Sequence, residues 1–254
     1  MNAEFAKRSI TPDEFDAPPS TISGLPLHQN DVERITGVPI VSFGPYVTAF
    51  THKSACGPND ESYERTEFVG DSVLNFVVAK YLFDNFPGKD EGFLTRLRTK
   101  LVSGKFLSTL AWKIGLQHLI VMNQKALSKG WNANHRILED VFEALVGAVY
   151  LDLGMIAARD FILTTIRQHA DFNDVMVDTN HKDRLSRHLR KLGVAPAAFN
   201  VVHENGGVNA LFAVEATTGG AVIGRGEAKT KRDAEQHASR DALRRLGVPD
   251  ETIA

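Results

Sequence analysis

The stretch Tyr63-Glu64-Arg65-Thr66-Glu67-Phe68-Val69-Gly70-Asp71-Ser72 sets carboxylates at 64, 67 and 71 inside an otherwise largely apolar segment. Their offsets of three and then four residues place them on one face of a helix. Phe68, Val69, Val73, Leu74, Phe76, Val77 and Val78 fill the rest of that helix. A second stretch, Glu139-Asp140-Val141-Phe142-Glu143-Ala144-Leu145, repeats the pattern, with Asp140 and Glu143 three apart among apolar neighbours. For any one pair, acids on a solvated helix surface are the simpler reading. The joint pattern reverses that, because the residues around the second set leave little exposed face. A bare buried carboxylate is strongly disfavoured unless a cation or a base balances it. Two buried helices with acids on one face can converge on divalent cations, and all-oxygen ligation suits Mg²⁺, with Mn²⁺ as a substitute. No Cys/His cluster has the spacing that zinc requires.

Outward from this pair, the pattern is helical on both sides. The first helix is expected over 63–83, stopped by Asn85-Phe86-Pro87-Gly88. Val32, Ile35 and Val38 mark a short helix before Pro39, and 47–54 a second one, followed by a turn-rich loop over 55–62. Further helices are expected over 93–102, 105–114, 137–153 and 157–171, with a polar, loop-like stretch over 124–134. After Asp174 the texture changes. An amphipathic helix over 182–192 is followed by strands over 199–203, 211–216 and 221–224, separated by Asn205-Gly206-Gly207 and Thr217-Thr218-Gly219-Gly220. A last helix spans 230–246 before Gly247 and Pro249. This order implies a small sheet covered by two helices on one face.

The chain has 254 residues, 43% of them hydrophobic, enough to fill a core. Its one cysteine, Cys56, excludes an intramolecular disulfide framework and fits a reducing compartment. The longest apolar run, 144–151, is closed by Glu143 and Asp152, and the N-terminus lacks the basic-then-apolar order of a secretion signal. A cytoplasmic protein with no membrane partner is expected, the nucleus not being excluded. The net charge of −2 conceals an asymmetry: residues 180–247 hold 12 Lys/Arg against 7 Asp/Glu. A basic module beside an acidic body suggests a polyanion-binding part attached to a cation-collecting part.

The run from Tyr63 to Ser72 closely resembles the signature motif of the ribonuclease III endonucleases. Phe50-Thr51-His52-Lys53-Ser54 resembles that family's Thr-His-(basic)-Ser element. The stretches Glu91-Gly92-Phe93-Leu94-Thr95-Arg96-Leu97-Arg98 and 138–148 are similar to its later blocks, in the right order. The resemblance covers roughly residues 30 to 247. It implies an all-α, dimeric endonuclease domain in which Glu67, Asp71, Asp140 and Glu143 are the metal-binding catalytic carboxylates. Glu64 and Glu91 then fill two supporting acidic positions near the dimer interface, and Phe68 is the aromatic that packs into the partner subunit. It also implies cleavage of both strands of an RNA duplex by a homodimer, leaving 5′-phosphate and 3′-hydroxyl ends and short 3′ overhangs.

The segment from Gly224 through Lys229, Lys231 and Arg232 to Gln236 resembles the glycine-then-lysine run of the double-stranded RNA-binding domain. Its glycines are expected to end the third strand, and its basic side chains to meet phosphates at the start of the last helix. Lys182 at the start of the first helix is counted with Lys229, Lys231 and Arg232 as RNA-binding. This module type reads A-form shape largely without sequence specificity. Two departures from the pattern, Gly206-Gly207-Val208-Asn209 in the first loop and Ser186-Arg187 in the first helix, shift RNA affinity towards charge.

The expected fold is therefore an all-α endonuclease domain (30–172) and a small α+β, α-β-β-β-α, double-stranded RNA-binding domain (181–247). Residues 1–29 form a disordered tail, 173–180 a linker and 248–254 a second tail. The competing functional reading is a non-catalytic protein that binds and sequesters duplex RNA. The intact set of six acids argues against it.

Overall fold

The structure is a computed structural model that describes residues 27–37, 39–57, 60–170, 177–205 and 211–249. The expected N-terminal tail up to residue 26, the Gly206–Asn209 loop and residues 173–176 of the linker lie outside these residues. The chain divides into two compact units, Met1–Asp171 and Phe172–Ala254.

In the first unit, α1 (Gln29–Thr36) ends where Gly37 adopts φ 67°. The helix α2 (Gly44–Phe50) stops earlier than the periodicity suggests. Thr51 leaves it to bridge Val121, and His52 N–H donates to the Val121 carbonyl at 3.0 Å, before a short 3-10 turn over Lys53–Ala55. The expected helix over 47–54 is thus cut in two by a pairing with a segment far along the chain. Then follow α3 (Glu64–Asn85), α4 (Glu91–Leu101), α5 (Gly104–Lys113) and α6 (Gln124–Ser128). The starts of α4, α5 and α6 are capped by Asp90, Ser103 and Asn123, whose side chains accept backbone N–H groups that have no partner within the helix.

The last and longest helix, α7 (His135–His169), is capped by Asn134 and broken at Gly154, where φ is 81°. Only glycine takes that angle at little cost. Every residue from Val141 to Val149 is buried. By length and composition α7 could cross a bilayer. Here α3, α5 and α2 pack around it instead, with α3 making the most extensive contact.

The second unit is built from α8 (His181–Lys191), β1 (Ala198–Asn205), β2 (Leu211–Thr218), β3 (Ala221–Ala228) and α9 (Lys231–Arg245). The strands form an antiparallel sheet in the order β1-β2-β3. Its register pairs Val201 with Val214 and Val214 with Gly226, and a bulge falls at Val202. Leu185 and Leu189 of α8 meet Ala242 and Leu243 of α9 over Phe199 and Ile223, while Ala234 and Ala238 pack on Val214 and Ala216. Both helices therefore cover one face of the sheet.

Gly224 and Gly226 do not end β3 as expected. They lie inside it, pressed against the α9 backbone. A Cβ on Gly224 would overlap the Ala238 carbonyl, and one on Gly226 the Ala238 amide. Residues 178–180, expected as linker, pack on α8. Buried Asp178 pairs with Arg187 at 2.7 Å, and the Asn180 side chain accepts from the Asp183 N–H at 3.3 Å.

Candidate catalytic centre and RNA-binding surface

Two glycines bring the acidic helices together. A Cβ on Gly70 of α3 would overlap the carbonyl oxygen of Glu143, and a Cβ on Gly147 of α7 would overlap that of Thr66. The helices thus touch backbone to backbone along one seam. Gly70 sits directly before Asp71 and three residues after Glu67, so the closest approach falls where the carboxylates leave their helices.

Around that seam the acids differ in exposure. Glu143 is 9% exposed and has no hydrogen-bond or ion-pair partner among the described residues. Glu67 and Asp140 are half-buried, while Glu64 and Asp71 are exposed. Expectation and structure part here, since Glu143 alone among these acids is a buried residue. Burial pushes the Glu143 carboxyl up to about 8, with Asp71, Glu139, Glu67 and Asp140 adding to the shift. Burial likewise raises Glu67 to about 7, reinforced by Asp140, Glu64 and Glu139 and opposed by Arg136. Burial also raises Asp140, against the Tyr63 hydroxyl and Arg136. Burial is the leading cause in all three, and for Glu143 and Glu67 the neighbouring carboxylates add to it.

The polar contacts are few. The Tyr63 hydroxyl donates to Asp140 Oδ2 at 3.2 Å, Asn75 Nδ2 donates to Asp71 Oδ1 at 2.6 Å, and Lys53 Nζ reaches Glu64 Oε1 at 3.4 Å. Glu91 stands apart, exposed in the first turn of α4, its Oε1 accepting from Thr95 at 2.8 Å. Phe68 projects from α3 with 76% of its surface exposed, and Phe76 and Phe83 are exposed on the same helix. Among the described residues no three His, Cys, Asp or Glu side chains are gathered tightly enough to enclose an ion. The donor set nonetheless fits a hard divalent cation: all oxygen, anionic, and short of balancing base.

Sequence reasoning passed over Glu139 as a functional residue. Its carboxylate lies against Gly104 at the start of α5, and it bears electrostatically on both Glu67 and Glu143. Its position one turn before Glu143 was the available signal. Arg136, one turn before Asp140, was also missed. The Tyr63–Asp140 bond joins residues 77 apart and left no local trace.

In the second unit Lys229, Lys231 and Arg232 are exposed around the start of α9. Thr230 caps that helix, accepting from the Asp233 N–H at 3.1 Å. Lys182 is engaged elsewhere: its Nζ pairs with Glu235 at 2.5 Å and lies 4.5 Å from the centre of the Phe199 ring. Arg187 is held by Asp178 and Asp183.

Residues 46–170 match a family model described as Ribonuclease-III-like, and residues 181–246 match the double-stranded RNA binding motif. A protein of Paramecium bursaria Chlorella virus 1 named A464R is 53% identical over 244 residues, covering 96% of this chain and 88% of that one. Ribonuclease 3 of Chlorobaculum tepidum is 34% identical over 233 residues, covering 89% of this chain and 85% of the relative. Among solved structures, the nuclease domain of ribonuclease III from Campylobacter jejuni is 32% identical with a TM-score of 0.53. That match covers 56% of this chain and 98% of the solved one, which is described as flexible in a region involved in dimer formation.

Proposed function

The chain belongs to the ribonuclease III family, and from that premise we propose that it hydrolyses double-stranded RNA as a homodimer that depends on a divalent cation. The products of this reading carry 5′-phosphate and 3′-hydroxyl ends and short 3′ overhangs. The chain is a ribonuclease III-type endoribonuclease followed by a double-stranded RNA-binding module.

One observation carries the metal dependence. Glu143 is buried without a partner beside Glu67, Asp71 and Asp140, and burial together with these neighbours pushes its carboxyl up to about 8. At neutral pH such a group favours its protonated form, and nearby positive charge shifts it towards the anion. Glu67, Asp71, Asp140 and Glu143 would hold Mg²⁺, or Mn²⁺ in its place, which would supply an activated water and offset charge on the phosphate and the leaving 3′-oxygen. Glu64 supports them from the first turn of α3. Glu91, distant from the cluster's electrostatics within one chain, takes its supporting part at the interface between two copies.

Support for a dimer comes from α3. At about 100° per residue, Phe68, Phe76 and Phe83 fall within an arc of about 80°. All three are exposed. The RNA-binding module brings the duplex, with Lys229, Lys231 and Arg232 placed at a helix start where phosphates bind well.

The test uses long duplex RNA and two proteins. The wild type should cut in Mg²⁺ and stop in EDTA, while Glu143→Gln retards the RNA without cutting it. Full cleavage by the variant sinks the carboxylate assignment. Retarded, uncut wild-type complexes with or without Mg²⁺ would favour binding alone.

A further inference from the structure

Asp140 is met by a series of ring contacts that begins outside both acidic helices. The Tyr63 hydroxyl donates to its Oδ2 at 3.2 Å, the one hydrogen bond that reaches this carboxylate among the described residues. Tyr63 is itself clamped. It is 5% exposed, and its N–H donates to the Thr51 carbonyl at 3.0 Å. The His52 ring lies against it with centroids 5.8 Å apart, and Trp131 meets His52 edge-on at 6.1 Å. His52 cannot turn freely, because Ser54 N–H donates to its Nδ1 at 3.0 Å and its own N–H is bound to Val121. The same backbone start serves α3, since the Tyr63 carbonyl accepts from the Glu67 N–H at 2.8 Å.

A buried tyrosine hydroxyl needs an acceptor, and a backbone carbonyl would serve as well as a carboxylate. This one meets an acid surrounded by Glu64, Glu67, Glu139 and Glu143, with Arg136 and Lys53 the facing cations. A carboxylate oxygen has no proton to give, so the Tyr63 hydroxyl is the donor of this bond. A neutral donor that fixes one carboxylate oxygen leaves the other free for a cation, and it spares the side chain the entropy of being ordered by that cation.

We propose that Tyr63 is a positioning residue of the cleavage centre, its hydroxyl fixing Asp140 for the divalent cation while His52 holds the ring. The proposal rests on the metal-dependent reading above. Its test is Tyr63→Phe in the full chain, which removes one oxygen and keeps the ring. Mn²⁺ binding without RNA is measured by calorimetry, and cleavage is followed against Mg²⁺ concentration. Loss of a ligand-orienting partner weakens metal binding by about 10- to 100-fold. The expected result is a rise of about tenfold, the low end of that range, in both the Mn²⁺ dissociation constant and the half-saturating Mg²⁺ concentration. The rate at saturating Mg²⁺ should change less, and the melting temperature in EDTA should move little. His52→Ala, which frees the ring but keeps the hydroxyl, should give a smaller rise in the same direction.

Unchanged Mn²⁺ and Mg²⁺ dependence in Tyr63→Phe overturns the proposal, as does a lower melting temperature with metal affinity intact. If the wild type binds Mn²⁺ but cuts no RNA, the nuclease reading fails while the Mn²⁺ comparison still decides the role of Tyr63. If it binds no Mn²⁺, both fall.

Discussion

In metal-free protein, Glu143→Gln should stabilise the fold, and by an amount that depends on pH. Burial and the neighbouring acids push the Glu143 carboxyl up to about 8 in the folded chain, from an ordinary value of 4.5. The folded state therefore binds its proton more tightly than the unfolded state does, so this group's contribution is largest below pH 4.5 and is lost as pH rises through about 8. At pH 7 the interval of about 2.5 units from its ordinary value corresponds to about 3 kcal/mol at 1.36 kcal/mol per unit. At pH 5 it is under about 1 kcal/mol. Glutamine has the same shape and nothing to titrate, so the variant should gain these amounts. For a unit of this size about 1 kcal/mol moves the melting temperature by 2–4 °C, so the gap should be roughly 6–12 °C at pH 7 and only a few degrees at pH 5. Thermal melts of both proteins in EDTA at the two pH values measure it. Adding Mg²⁺ at pH 7 should close the gap by raising the wild type more than the variant. A variant no more stable than wild type at pH 7, or a gap equal at both pH values, would refute the argument that Glu143 is an uncompensated buried acid.

The other expectations concern packing, assembly and RNA. Gly70→Ala drives a methyl group into the Glu143 carbonyl, and overpacking of backbone against backbone should cost about 3 kcal/mol or more, read as a lower denaturation midpoint; an unchanged midpoint would show that the seam can open. Phe68→Asp removes an exposed aromatic from each copy. At about 1.5–3 kcal/mol per buried phenylalanine it should weaken self-association by 10²-fold or more, seen by light scattering, with little change in the melting temperature of the monomer. Replacing Lys231 and Arg232 by glutamine should weaken duplex RNA binding and lower the slope of log K against log salt by about 1 per cation removed. A slope equal to wild type would exclude both from phosphate contact.

The acidic constellation was legible because helical periodicity is local: offsets of three and four residues put side chains on one face whatever surrounds them. Exposure was not legible in the same way. Glu64, Glu67 and Asp71 share a face, yet they range from half-buried to exposed, since α7 crosses α3 at Gly70 and covers only part of that face. The end of α2 was missed because Thr51 and His52 are drawn away by Val121, a partner remote in sequence. Gly224 and Gly226 were misread for a related reason. A glycine that admits a neighbouring helix and a glycine that turns the chain look identical in a sequence, and only the position of α9 distinguishes them. The pairing of Lys182 with Glu235 and the Phe199 ring was likewise not legible, since it joins residues remote in sequence.

The glycine seam ties the stability of this unit to its chemistry. Close approach of α3 and α7 limits water at Glu143, and burial with the neighbouring acids makes its carboxyl resist ionisation. The same approach sets Glu67 and Asp71 on one side of the seam and Asp140 and Glu143 on the other. A wider seam would hydrate Glu143 and relieve the unfavourable charge, but it would also part the two pairs of carboxylates. If these acids hold a cation as proposed, mutation at Gly70 cannot improve stability by relaxing them without weakening that hold, and neutralising one acid removes repulsion at the expense of a proposed ligand. On the proposed reading, the cation then lets the centre ionise at neutral pH with both helices still in contact.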